Sequence, residues 1–146
     1  MLKNLLLVED DPDDVALFTE ALREISPSMT CRYCPNGAQM IKRMNDFRDT
    51  DLIFLDINMP QVDGWECLHY LKKSDSFKHI PVILYSTTST PADGRRAVHM
   101  GAVGFYEKPS SFVDFREFLK RLTLAGRNLL EALREIKMDH RHKIFL

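Results

Sequence analysis

Leu52-Ile53-Phe54-Leu55-Asp56-Ile57-Asn58-Met59-Pro60 decides how this chain folds. Its first four residues are apolar without alternation, and a carboxylate ends the run. A strand with one wet face would alternate apolar and polar side chains, because successive residues point to opposite faces. A run apolar on both faces belongs in a parallel sheet covered by helices on each side. Three more runs share this form, Leu5-Leu6-Leu7-Val8, Val82-Ile83-Leu84-Tyr85 and Val103-Gly104-Phe105-Tyr106, all bounded by acids, Pro or Gly. Thr30-Cys31-Arg32-Tyr33-Cys34 is more polar, as suits a strand at the sheet edge.

Helical patterns fill the intervals. Val15, Phe18, Leu22 and Ile25 recur at helical spacing behind an Asp11 N-cap and Pro12 at the first helical position. Residues 37–47 predict a second helix, and Trp65, Leu68 and Leu71 mark the core stripe of a third. Thr90-Pro91-Ala92-Asp93 reads as a capping box that opens a fourth, closed by Gly101. Ser111 opens a fifth, in which Phe115, Leu119, Leu122, Ala125, Leu129, Leu133 and Ile136 keep three-or-four spacing straight through Gly126. A continuous helix over residues 111–137 would be about 40 Å long at ~1.5 Å per residue. Its second half would cover the body or a second copy, so a homodimer through this extended helix is an expectation. The order strand-helix, five times over, predicts an α/β doubly wound parallel sheet with right-handed crossovers. The expected division is a domain over residues 1–126 and a helical extension over 127–146, with no separate output domain.

Composition narrows the function classes. The chain has 146 residues, 45% hydrophobic and 28% charged, which suits one globular domain. Lys and Arg number 20 against 21 Asp and Glu, so the chain lacks the basic excess of a nucleic-acid binder. No apolar run approaches the ~18 residues of a membrane span, and the run at residues 5–8 is too short for an export signal. Three cysteines without an export signal read as reduced thiols, and the expected location is the cytoplasm. The charge is uneven: residues 1–30 carry seven acids and two bases, while residues 111–146 carry eight bases and five acids.

In an open α/β sheet, chemistry gathers at the carboxyl ends of the strands. The residues that follow the runs here are Glu9-Asp10-Asp11, Asp56, Ser86-Thr87-Thr88 and Glu107-Lys108-Pro109. Unit charges ~4 Å apart repel by roughly 4 kcal/mol at an effective dielectric near 20, so converging carboxylates call for a cation. An all-oxygen cluster with room for water suits Mg²⁺. Asp11 reads simply as an N-cap. Asp56 ends the most apolar strand and, ionised at neutral pH, could attack phosphorus to give an aspartyl phosphate. Lys108, the Ser86 hydroxyl and a metal would then meet the three phosphoryl oxygens.

Val8-Glu9-Asp10, Leu55-Asp56-Ile57-Asn58-Met59-Pro60-Gln61-Val62-Asp63-Gly64, Ile80-Pro81-Val82-Ile83-Leu84-Tyr85-Ser86 and Gly101-Ala102-Val103-Gly104-Phe105-Tyr106-Glu107-Lys108-Pro109 together resemble the receiver domain of two-component response regulators. The resemblance covers residues 3 to about 125, and it implies the flavodoxin-like (CheY-like) strand order 2-1-3-4-5. It implies that Asp56 accepts the phosphoryl group, from a sensor histidine kinase or phosphotransfer protein. It further implies that Asp10 ligates Mg²⁺ directly, Glu9 through water, Asp56 itself, and Asn58 through its backbone carbonyl. Ser86 and Lys108 resemble the hydroxyl and cation that meet the phosphoryl group, Phe105 the switch aromatic, and the bond before Pro109 is commonly cis in this family. The output surface would be the helix after Thr90, the strand bearing Phe105 and the helix opening at Ser111. The implied protein is a stand-alone response regulator that signals by binding a target protein. Ser86-Thr87-Thr88-Ser89 and the long C-terminal pattern give a weaker resemblance to phytochrome-associated response regulators.

Two other readings share part of this pattern. A Mg²⁺-dependent phosphohydrolase with an Asp nucleophile would want an acid two residues on, where this chain has Asn58. A phosphorylation-independent adaptor would not need the full acid, hydroxyl and lysine set. Cys31 and Cys34 have C-x-x-C spacing but fall on opposite faces of a strand, which argues against a redox or zinc role. His140-Arg141-His142 reads as a solvated tail, and Arg95-Arg96 as a solvated or protein-contact pair.

Overall fold

The computed structural model describes residues 2–126 and 128–146. Five parallel strands, β1 (Asn4–Val8), β2 (Thr30–Cys34), β3 (Leu52–Asp56), β4 (Val82–Ser86) and β5 (Gly104–Glu107), alternate with α1 (Pro12–Ile25), α2 (Gly37–Arg43), α3 (Gly64–Lys73), α4 (Pro91–His99) and α5 (Phe112–Ala125). A 3-10 turn, Met44–Phe47, extends α2. The sheet order β2-β1-β3-β4-β5 is the expected one, and β2 lies at the edge.

Each apolar run divides its side chains between two cores. Leu6, Val8, Ile53, Leu55, Val82, Leu84 and Phe105 face one side, with α2, α3 and α4 packed over them. Leu5, Leu7, Leu52, Phe54, Ile83, Tyr85 and Tyr106 face the other, under Phe18 and Leu22 of α1 and Phe118, Leu119 and Leu122 of α5. The absence of alternation in the runs is therefore the imprint of two covered faces. Cys34 lies in the first core and Cys31 against the second, as strand geometry requires. The Asp11 N-cap, the Thr90/Asp93 capping box and the Ser111 cap all form.

The expected extended C-terminal helix does not form. Gly126 adopts φ +61, a backbone conformation favoured by glycine, and the chain turns there. A separate helix, α6 (Leu129–Lys137), follows, and then a short strand, β6 (Ile144–Phe145), that pairs antiparallel with β5. The sheet thus has six strands and is mixed. The spacing continued through Gly126 because α5 and α6 both turn their apolar stripes to the same core, where Leu129, Leu133 and Ile136 are buried. That burial within one chain removes the ground on which a dimer through a long helix was expected. Arg127, where the expected extension begins, lies outside the described residues.

Within the stretch 140–142, His140 and Arg141 are exposed as expected of a solvated tail, but His142 is not. His142 is buried, its Nδ1 is 3.0 Å from the Tyr106 hydroxyl, and its ring lies beside the stacked rings of Tyr106 and Phe118, 6.0 and 5.9 Å from their centroids. No helix among the described residues is long and apolar enough to cross a membrane.

Candidate functional site

The carboxyl ends of β1, β3, β4 and β5 meet on one rim. Carboxylate oxygens of Glu9, Asp10 and Asp56 all lie within 4.8 Å of one another. Glu9 and Asp56 are buried, while Asp10 is exposed. Into this cluster reaches Lys108, whose Nζ lies 2.8 Å from Glu9 Oε2, 2.8 Å from Asp14 Oδ2 and 3.9 Å from Asp56 Oδ1. The loop after β3 folds tightly behind Asp56. A Cβ on Gly64 would overlap the Asp56 carbonyl and Ile57, so only glycine lets α3 begin this close. Gln61 takes up the turn at φ 65.

Asn58 ties two parts of the rim together. Its backbone N–H donates to Asp56 Oδ1 at 3.2 Å, and its side-chain amide donates to Ser86 Oγ at 2.9 Å. Ser86 is fully buried, and its Oγ also accepts from the Thr88 N–H at 3.3 Å. Phe105 is fully buried on the neighbouring strand, with its ring centroid 6.2 Å from Trp65. Trp65 in turn carries the Arg96 guanidinium 4.1 Å above its ring.

Two members of the site went unread in the sequence. Asp14 is an acid in the first turn of α1, and it shares Lys108 with Glu9. Tyr85 looked like one more strand residue, but its buried hydroxyl donates to Glu9 Oε2 at 2.7 Å, and Lys108 Nζ sits 4.3 Å from its ring centroid. An aromatic immediately before the hydroxyl residue of an inner strand was the available signal. The bond before Pro109 is trans, since no cis peptide bond occurs among the described residues, contrary to the expectation for that position.

The electrostatics of the site follow from burial and from Lys108. Burial pushes the Asp56 carboxyl up to about 7, an effect that Lys108 opposes and Glu9 reinforces. The affinity of Asp56 for the proton is therefore well above that of a free carboxylate, and a second cation would favour the ionised form. Burial would raise Glu9 as well, but the hydrogen bond and charge of Lys108 bring it below the usual carboxylate range. Burial works against the Lys108 ammonium, yet its bonds to Asp14 and Glu9 hold it above the usual lysine range. One cation thus serves three carboxylates.

The donor set fits a hard divalent ion: three carboxylates with one exposed member leave room for bound water, as Mg²⁺ prefers. Such an ion competes with the proton on Asp56. Mg²⁺ affinity is therefore expected to fall about tenfold between about pH 8 and about pH 6, with proton release on binding. Calorimetric titrations in buffers of different ionisation enthalpy measure both. An affinity flat across that range would show that Asp56 is ionised throughout it or is not a ligand.

The profile of the response regulator receiver domain matches residues 5–120. The chain belongs to the response regulator receiver family. Receiver domains generally bind Mg²⁺ at an acidic pocket, and this chain has an acidic cluster at the carboxyl ends of its strands. The polar-differentiation response regulator DivK of Brucella anthropi is 33% identical over 120 residues, which is 82% of this chain and 95% of DivK. A probable cyclic di-GMP phosphodiesterase of Vibrio cholerae is 31% identical over 107 residues, 73% of this chain but only 23% of that protein, so the likeness spans less than a quarter of the larger chain. Among solved structures, a response regulator in red light signaling of R. palustris superposes with a TM-score of 0.75 at 27% identity, covering 88% of this receiver and 96% of that chain.

Proposed function

We propose that this receiver accepts a phosphoryl group on Asp56 from a histidine kinase or phosphotransfer protein, in the cytoplasm, and then binds a target protein. Residues 1–126 would carry the chemistry, with residues 127–146 as an extension. The observation that carries the reading is the convergence of Lys108 with the buried Asp56 and the acids Glu9 and Asp10 on one rim.

In the proposed reaction one Asp56 oxygen attacks phosphorus as the bond to the donor imidazole breaks. Asp10, Asp56, the Asn58 backbone carbonyl and, through water, Glu9 would hold Mg²⁺, which when bound supplies charge to neutralise the phosphoryl oxygens and keeps Asp56 ionised. Lys108 meets a second oxygen by transferring part of its contact from Glu9 and Asp14. The Ser86 hydroxyl, now an acceptor for Asn58 and Thr88, turns its proton toward the third. Drawing Ser86 away breaks its bonds to the loop before α4, and the buried Phe105 responds to that loop by packing alone. An apolar cleft of about 250 Å³ beside Lys108, with Leu17, Phe112 and Phe115 in its walls, supports the approach of a phosphodonor protein from the side of α1 and α5. The proposed output surface is α4, β5 and α5.

Incubation with Mg²⁺ and acetyl phosphate, followed by intact-mass measurement, tests the reading. The expected result is the mass of one added phosphoryl group, lost on chelation of the metal and in Asp56→Asn. Addition that persists in Asp56→Asn, or none in the parent, would overturn it. Steady turnover of phosphate monoesters would favour a hydrolase instead.

A further inference from the structure

The free edge of β5 is occupied by the chain itself. Phe145 pairs with Phe105 and Ile144 with Tyr106, and the Glu107 N–H donates to the Lys143 carbonyl at 3.0 Å. Each side chain of this segment has its own seat. Ile144 is buried in the core under α5 and α6. Phe145 meets the Phe105 ring edge to face at a centroid distance of 6.3 Å and lies flat against Gly94 of α4, where a Cβ would overlap its ring. The Lys143 ammonium is 3.5 Å from the Glu107 carboxylate and 3.4 Å from the Ser89 carbonyl.

These contacts describe a strand-addition site with three specificity elements: a carboxylate for a basic residue, an apolar seat for a branched aliphatic one, and a glycine-floored seat for an aromatic one. The β6 strand that fills it is only two residues long, so its ladder contributes few hydrogen bonds. What holds it is proximity, because a short tether gives an effective concentration of about millimolar. Such a contact is readily exchanged for an extended segment that brings additional contacts of its own.

We propose that the β5 edge and the Gly94 face of α4 form a docking site for an extended basic–aliphatic–aromatic segment of a partner protein, and that Lys143-Ile144-Phe145 blocks this site in cis. A second copy of this chain would offer the same three residues and so gain nothing over the intramolecular contact, whereas a foreign segment can add to it. The proposal deepens the reading of α4, β5 and α5 as the output surface and rests on that reading for its use in signalling. The link is Ser89, which Lys143 touches three residues after Ser86 in the loop proposed to move.

The test uses a fluorescent peptide of residues 140–146 and the unphosphorylated full chain, without metal. Anisotropy is expected to show binding to Phe145→Asp, whose own segment is evicted, at least about tenfold tighter than to the parent. Deletion of residues 144–146 should give the same gain, and adding Gly94→Val to either variant should abolish it. Hydrogen exchange at the β5 amides should quicken in the evicted variants and slow again with peptide. Equal binding to parent and evicted chains, or binding to neither while the β5 amides are exposed, would overturn the proposal. A concentration-dependent dimer of the parent, dispersed by Phe145→Asp, would overturn the foreign partner and place a second copy on the edge. Phosphoryl acceptance measured on the same samples is independent of the peptide result, so either reading can fail alone.

Discussion

Lys108→Met is expected to destabilise the fold by about 3 kcal/mol at neutral pH, within the range seen when one partner of a buried ion pair is removed. Glu9 is fully buried and keeps only neutral donors, the Tyr85 hydroxyl and the Asp11 N–H, while Asp14 and Asp56 lose the cation nearest to them. At roughly 2–4 °C per kcal/mol for a chain of this size, the thermal midpoint should fall by about 10 °C. The loss should shrink in acid as the carboxylates take up protons, and millimolar Mg²⁺ should restore part of it by binding only the folded chain. Thermal melts across pH, with and without the metal, measure all three effects. A midpoint unchanged at neutral pH would mean that the acids are already neutralised in some other way.

The opposite sign is expected at the acceptor. A carboxyl whose affinity for the proton rises on folding, from 3.8 to about 7, is bound to more protons in the folded state throughout that window. Ionised Asp56 therefore costs the fold stability as pH rises from about 4, and the cost is complete above about 7. Asp56→Asn removes the charge and can still accept from the Asn58 N–H. It should melt several degrees above the parent near about pH 7.5, a gain of about 2–4 kcal/mol, with little difference near about pH 4. Saturating Mg²⁺ should narrow the gap by stabilising the parent alone. An Asp56→Asn protein less stable than the parent at neutral pH would show that Lys108 offsets the burial of that carboxylate completely. Phosphoryl acceptance and stability are thus expected to pull against each other at one residue.

The strands and their rim were legible because burial on two faces leaves an unmistakable pattern, and a charged residue at the end of an apolar run stands out. Asp56 and Lys108 could be paired from the order of elements alone. Asp14 could not, since an acid in a first helical turn already has a sufficient local explanation. Tyr85 hid for a related reason: its ring belongs to the core, and only coordinates reveal that its hydroxyl ends on Glu9. The turn at Gly126 was masked by two helices that share one core and so keep one spacing. In β6, two apolar residues behind a basic stretch carry too short a pattern to announce a strand, and their partners lie 38 and 40 positions away.

The chain contains one tryptophan, Trp65. Its indole stands between the guanidinium of Arg96 on α4 and the ring of Phe105 on β5, within 4.1 Å of the first and 6.2 Å of the second. Emission from that lone indole, excited apart from the four tyrosines, therefore reports the packing of both neighbours at once, and the protein carries a label-free optical gauge of its own rearrangement.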